Sequence, residues 1–204
     1  MNQLVHNGCM SHGRPLEFDP QLALQKAMEL FWCHGYEATS LQALLTAMDI
    51  SKSSFYQAFG SKHELFERCL KAFRERQVER MNAALAQTSS GKEFLRNMLL
   101  AAARDSATTE FPKGCLIMNT ATEFSGRDVV VADLVGEGAR QFAGVFRTAI
   151  ERAQADGEIA ADRDAEVLAR YVVSTISGLK TMAKTGLPAA AIEDVAEVAL
   201  TVLA

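Results

Sequence analysis

The chain has 204 residues, 49% hydrophobic and 23% charged, with a formal net charge of −4 at pH 7. That suits a soluble globular protein with a real core, and no stretch nears the eighteen or so uncharged apolar residues of a membrane span. Residues 1–80 hold nine Lys/Arg against nine Asp/Glu and residues 81–204 hold twelve against sixteen, which excludes a broad basic surface; nucleic acid would be bound only through a few placed cations.

Residues 1–18 read as a flexible arm containing Arg14, with no helical period. Asp19-Pro20 is a helix start, with Asp as N-cap and Pro in the first turn. Ala23, Ala27, Leu30 and Phe31 form the apolar face of that helix, and Gly35 ends it. Thr39-Ser40 opens a second helix, with Gln42 as capping-box partner of Thr39 and Leu41, Leu44, Leu45 and Met48 inward. After the break at Asp49-Ile50, Ser51 caps a short third helix over 52–59. Its inward side is Phe55 and Phe59, which leaves Lys52, Ser53, Tyr56 and Gln57 outside. Ser61-Lys62-His63-Glu64 is another capping box and starts a long helix to about Gln87. Two short helices joined by a tight turn form a helix-turn-helix. Small hydroxyls, an amide and a phenol on its outer face fit a DNA major groove, with Lys52 and Lys62 placed for phosphates. Ser40, Ser51 and Ser54 are further candidate phosphate donors, and Arg14 a candidate minor-groove contact.

Beyond the break at 88–91 the pattern predicts helices at about 92–106, 114–124, 128–156, 163–185 and 189–203. Phe111-Pro112 and Gly186-Leu187-Pro188 are breakers between them. The whole is therefore all-α, about nine helices. Phe94, Met98, Met118, Phe142, Phe146, Tyr171 and Thr175, with Asn119 as the polar group, suit a pocket for a small apolar or aromatic molecule. Val167, Leu168, Tyr171, Val172, Ile176 and Leu179 fall at helical spacing, as do Ile192, Val195, Ala196, Ala199 and Val202.

Ala27, Leu30-Phe31, Gly35-Tyr36, Thr39-Ser40, Ile50-Ser51-Lys52, Phe55-Tyr56, Phe59, Ser61-Lys62 and Leu65 together resemble the DNA-binding domain of the TetR family of bacterial transcriptional repressors. The resemblance covers about fifty residues. It implies an arm over 1–18, a DNA-binding domain over 19–65 and a ligand-binding and dimerisation domain over 66–204. It also implies a contact from Tyr56 to DNA, operator DNA as partner and release by an effector. The last two helices would pair with their symmetry mates, through Val172, Ile176, Ile192, Val195 and Ala199. Two residues depart from the family pattern: Asp49 stands where Gly is usual in the turn, and Ser53 where Gly is frequent. Asp tolerates the positive φ that the turn needs better than most residues.

The segment PKGCLIMNTATEF resembles one in a subset of these regulators, in which a Gly-Cys-Leu run opens the sixth helix. Some members of that subset respond there to electrophiles or oxidants. If Lys113 or Gly114 starts the helix, Cys115 lies in its first turn, where amides and Lys113 favour a thiolate. The alternative is that Cys115 is a small buried residue lining a noncovalent pocket. Cys9, Cys33, Cys69 and Cys115 show no CxxC spacing and read as reduced cytosolic thiols. His6-Cys9-His12 has no partner motif for a metal. No HExxH, GxSxG, P-loop or GxGxxG is present, so neither a cofactor nor an enzyme is expected. The competing function class is a helical small-molecule-binding or catalytic protein that keeps the helix-turn-helix for packing only. A packing relic would have no use for the outward Lys, Ser and Tyr side chains.

Overall fold

A computed structural model describes residues 18–108, 112–124 and 126–203, with the side chains of 105–108 outside the description. Arg14 and the His6-Cys9-His12 tract lie outside the described residues. Each of the first four helices begins at a cap that the sequence names. Asp19 accepts from the N–H groups of Gln21 and Leu22 at 2.8 and 3.3 Å, opening α1 (Pro20–His34). Ser40 accepts from Ala43 N at 3.1 Å and opens α2 (Leu41–Met48). Thr39 does not share that role. It is buried, and its hydroxyl donates back to Gly35 O at 2.6 Å, bracing the loop after α1. Ser51 caps α3 (Lys52–Phe59) and Ser61 caps α4 (Lys62–Gln87), each through the amide three residues on.

Asp49 sits in the left-handed region, φ 57° and ψ 51°, and is the one non-glycine with positive φ among the described residues. A short polar side chain at this position meets the geometry of the turn without glycine. Phe55 and Phe59 are buried, with ring centroids 5.9 Å apart, and Arg68 of α4 donates to Ala58 O at 2.9 Å, fixing the end of α3.

α4 packs on α1 at its start and on α7 (Val129–Ala155) further along. Its C-terminal carbonyls are satisfied by Arg152 of α7, which donates to Leu85 O, Thr88 O and Ser89 O. The second half is a bundle of α5 (Gly91–Thr108), α7, α8 (Ala165–Ala183) and α9 (Ala189–Thr201), with α6 (Leu116–Phe124) laid against α7. Gly91 is needed where α5 meets α7, because a Cβ there would strike the backbone carbonyl of Ala149. Among the described residues there are nine helices and no strand, and no helix is long and apolar enough to cross a membrane.

The apolar spacing of α8 and α9 was expected to face a second subunit. Val172, Ile192 and Ala199 instead face the protomer's own core, at 0%, 0% and 3% exposure. An apolar stripe in a bundle is claimed first by the nearest helices of the same chain, here α5 and α7. Val195, at 40% exposure, does face outward. So do Val167, Val198 and Val202.

Candidate functional site

α3 has two distinct sides. Phe55 and Phe59 anchor it, whereas Lys52, Ser53, Tyr56 and Gln57 are exposed and Ser54 is partly so. Ser51 and Ser54 share a hydroxyl–hydroxyl hydrogen bond of 2.9 Å. Ser40, one helix earlier, is exposed at the start of α2. Tyr56 packs its ring edge-on to Phe55 at 5.4 Å, so its aromatic body is steadied while half of its surface stays open. Lys62 is partly buried, with Nζ 4.2 Å from the centre of the Tyr36 ring. That cation–π contact offsets the unfavourable place of a cation at a helix N-terminus.

Two ends of α6 hold the end of α1 and its following loop. At the near end, Lys113 pairs with Glu29, and Trp32 Nε1 donates to Gly114 O at 3.3 Å. At the far end, Glu123 accepts from Tyr36 N at 3.0 Å and Glu37 N at 2.8 Å. Phe124 stacks on Phe66 of α4 at 5.5 Å and 10° and meets Tyr36 at 5.3 Å. His63 lies between Glu67 at 3.3 Å and Asp128, the cap of α7, at 3.2 Å. The helix-turn-helix segment is thus gripped through α6 and the start of α4. None of these tertiary partners shares a local sequence pattern, and the sequence alone did not single out Glu123 or Trp32.

A cavity of about 560 Å³ opens between α4, α5, α6, α7 and α8. Met98, Cys115, Met118, Phe142 and Phe146 line it as expected. Ile176, expected at the subunit interface, lines it too, because it shares the inward face of α8 with Val173 and Ser177. Phe94, Asn119, Tyr171 and Thr175 do not line it. Phe94 is core, 1% exposed and 6.0 Å from the Phe146 ring behind the wall. Asn119 borders a smaller cleft of about 230 Å³ instead. Its amide donates to Lys113 O at 2.8 Å and its oxygen accepts from Lys184 at 3.4 Å, so it is a strut. Trp32 of α1, Phe73, Gln77 and Arg80 of α4 and Lys180 of α8 add to the wall; the spacing of 73, 77 and 80 marks one face of α4, but only packing brings that face to Trp32 and Lys180.

Cys115 precedes α6, and its carbonyl accepts from Asn119 N at 2.8 Å. Burial pushes its thiol above the ordinary range, although the amides of Met118 and Ile117 and the charge of Lys180 act in the opposite direction. The expected thiolate is therefore not the resting form, and the cation beside the sulfur is Lys180, since Lys113 is engaged with Glu29 and with Trp32. Cys33 is exposed, whereas Cys69 is buried with its thiol pushed well up by desolvation. No group of three or more His, Cys, Asp or Glu that could hold a metal occurs among the described residues.

Residues 23–69 match the family described as bacterial regulatory proteins, tetR family, and residues 91–198 match the tetracyclin repressor-like C-terminal domain. The chain is 32% identical over 192 residues to the uncharacterized HTH-type transcriptional regulator YezE of Bacillus subtilis, covering 94% of this chain and 99% of that protein. It is 31% identical to the HTH-type transcriptional repressor ComR of Escherichia coli, covering 95% and 91%. Its fold superposes with a TM-score of 0.81, at 35% identity and covering 92% and 98%, on a cysteine mutant of the TetR family regulator CifR bound to 26-bp operator DNA. These matches span both the helix-turn-helix and the cavity-bearing half, and the chain belongs to the tetR family of bacterial regulatory proteins.

Proposed function

We propose that this protein is a transcriptional repressor that binds operator DNA as a homodimer and is released when a small apolar or aromatic molecule enters the cavity. The arm over 1–18 and the segment 19–65 would serve DNA, and residues 66–204 effector and partner. The observation that carries this is α3. Its Phe55 and Phe59 are its buried anchors, yet the opposite face keeps a lysine, a hydroxyl, a phenol and an amide in the open. A helix retained for packing alone needs none of those, which disfavours the relic reading. The operator complex of CifR supports the same mode here.

In this reading Lys52, Ser53, Tyr56 and Gln57 enter the major groove, and Ser40, Ser51, Ser54 and Lys62 hold phosphates. Two copies would present half-sites roughly 34–36 Å apart. The partner surface is the outward edge of α8 and α9, where Val167, Val195, Val198 and Val202 stay exposed in the protomer. Release follows from the grip of α6: a guest in the cavity displaces α6, whose two ends hold Trp32, Tyr36 and Glu37. Cys115 serves as a wall residue with a neutral thiol. A working cell location in the cytoplasm, where operator DNA is reached, belongs to the same proposal.

The test is fluorescence anisotropy on a duplex from upstream of the protein's own coding region, across a salt series. Salt-sensitive, saturable binding is expected. A folded protein that binds this and random duplex DNA equally, or neither, rejects the repressor reading. For Cys115, the DNA complex is treated with a mild aldehyde or quinone. Equal responses of wild type and Cys115→Ser support the wall reading, and release confined to wild type makes the cysteine a sensor.

A further inference from the structure

The cavity is charged against the grain of the molecule. The chain carries 25 Asp and Glu and only 21 Lys and Arg. Yet among the described residues that line the cavity every charged side chain is a cation: Arg80, Lys113 and Lys180. The three are not equivalent. Lys113 is paired with Glu29 and lies 5.4 Å from the Trp32 ring centre. Lys180 lies near Cys115 and acts on its thiol. The Arg80 side chain has no hydrogen-bond or ion-pair partner among the described residues, and neither has that of Gln77. Residues three apart on a helix share a face, so both line the cavity from one side of α4, Gln77 partly buried and Arg80 exposed to solvent. A planar fork of N–H donors matches a carboxylate in shape as well as charge.

We propose that the effector is an anionic amphiphile, a small monocarboxylate whose carboxylate is held by Arg80 and Gln77. Its apolar body lies against Phe73, Met98, Phe142 and Phe146. This rests on the cavity being the effector site and adds the chemical class of its ligand. Lys113 and Lys180 raise the positive potential of the cavity without forming the anchor. A neutral molecule of the same shape gains the apolar contacts but leaves Arg80 to solvent. A cationic one is repelled.

Trp32 is the single tryptophan of the chain and lines the cavity, so its emission reports occupancy without DNA. Wild type, Arg80→Gln and Lys113→Gln are titrated with 4-phenylbutyrate, with the neutral 4-phenylbutyramide and with 4-phenylbutylamine. Thermal unfolding checks that each variant is folded. The wild type is expected to bind the acid about threefold to fivefold tighter than the amide, with the amine weakest. Arg80→Gln brings the acid down to the amide while leaving the amide unchanged, and Lys113→Gln keeps most of the preference. Equal affinities of acid and amide in the wild type overturn the anionic class, and an undiminished preference in Arg80→Gln overturns its anchor. If no probe perturbs Trp32 at millimolar concentration, the cavity itself fails as the effector site, an outcome distinct from equal affinities.

Discussion

Helices α3 and α8 are both amphipathic, and each has one side in the core, but they answer to different numbers of neighbours. α3 is eight residues long and packs on α4, with Lys52, Ser53, Tyr56 and Gln57 facing solvent. α8 is nineteen residues long and serves three surfaces at once. Leu168, Val172 and Leu179 enter the core, Val173, Ile176 and Lys180 line the cavity, and Val167 lies outside. A short helix at the edge of the fold leaves one side free, and its polar residues stand out there. A helix with three neighbours divides its residues among them by tertiary geometry.

The sharpest way to break that comparison lies at two adjacent residues of α9. Ala199 is 3% exposed and Val198 is 67% exposed. Ala199→Glu buries an unpaired carboxylate, at a cost of several kcal/mol, about the whole stability of a domain. It is expected to unfold the protein. Val198→Glu is expected to stay folded and to dissociate the dimer, as read by circular dichroism and sedimentation velocity. A folded monomeric Ala199→Glu beside a dimeric Val198→Glu would mean that α9 faces the other way.

Next in size is the anchor of the reading helix. Phe55 is fully buried, and Phe55→Ala removes a ring at a cost of about 3–5 kcal/mol. The same truncation at Met98, which is only partly buried at the cavity wall, should cost well under half of that, about 1 kcal/mol or less, since the cavity already exists. Chemical denaturation compares them. Equal losses would show that the cavity wall is as tightly packed as the helix-turn-helix core.

The caps explain why one half was so legible. Asp19, Ser40, Ser51 and Ser61 each act within three residues of their own position, so spacing along the chain is enough to place α1 to α4. Asp49 is legible for the same reason, because positive φ is a local demand. The cavity has no such code. Phe73, Gln77 and Arg80 stand on α4 and Lys180 on α8, about a hundred residues apart, and only packing brings them together. The same holds for Val172, Ile192 and Ala199: their spacing reveals an apolar face but not whether that face meets its own bundle or a second chain. Cys115 adds a further lesson. A place at a helix start favours a thiolate, but burial is a tertiary quantity, and here it outweighs the amides.

Glu123 tests whether the joint links the two halves. Its carboxylate takes the amides of Tyr36 and Glu37, and hydrogen bonds to a charged group contribute about 1.5–3 kcal/mol. In Glu123→Ala those two amides are expected to exchange with solvent about tenfold or more faster, while amides in the middle of α7 are unchanged. Uniform acceleration across the protein would mean global destabilisation in place of a local release.

The smallest expected effect concerns Lys62, where two explanations of one residue can be separated. Its contact with Tyr36 contributes about 0.5–1 kcal/mol at a partly exposed site. A phosphate contact would instead appear only with DNA present. In Lys62→Ala, the Tyr36 contact predicts slightly lower stability of the free protein, and only the phosphate role predicts a shallower dependence of log affinity on log salt, by about 1 per half-site. The affinity should fall alike for specific and random duplexes, because phosphates carry no sequence. Lys62→Arg separates the roles further. A guanidinium still stacks on Tyr36 and still bonds a phosphate, so both stability and salt slope should be retained. If Lys62→Ala lowers stability while the salt slope is unchanged, Lys62 is a brace for Tyr36 at the joint and belongs with Glu123 and not with the exposed residues of α3.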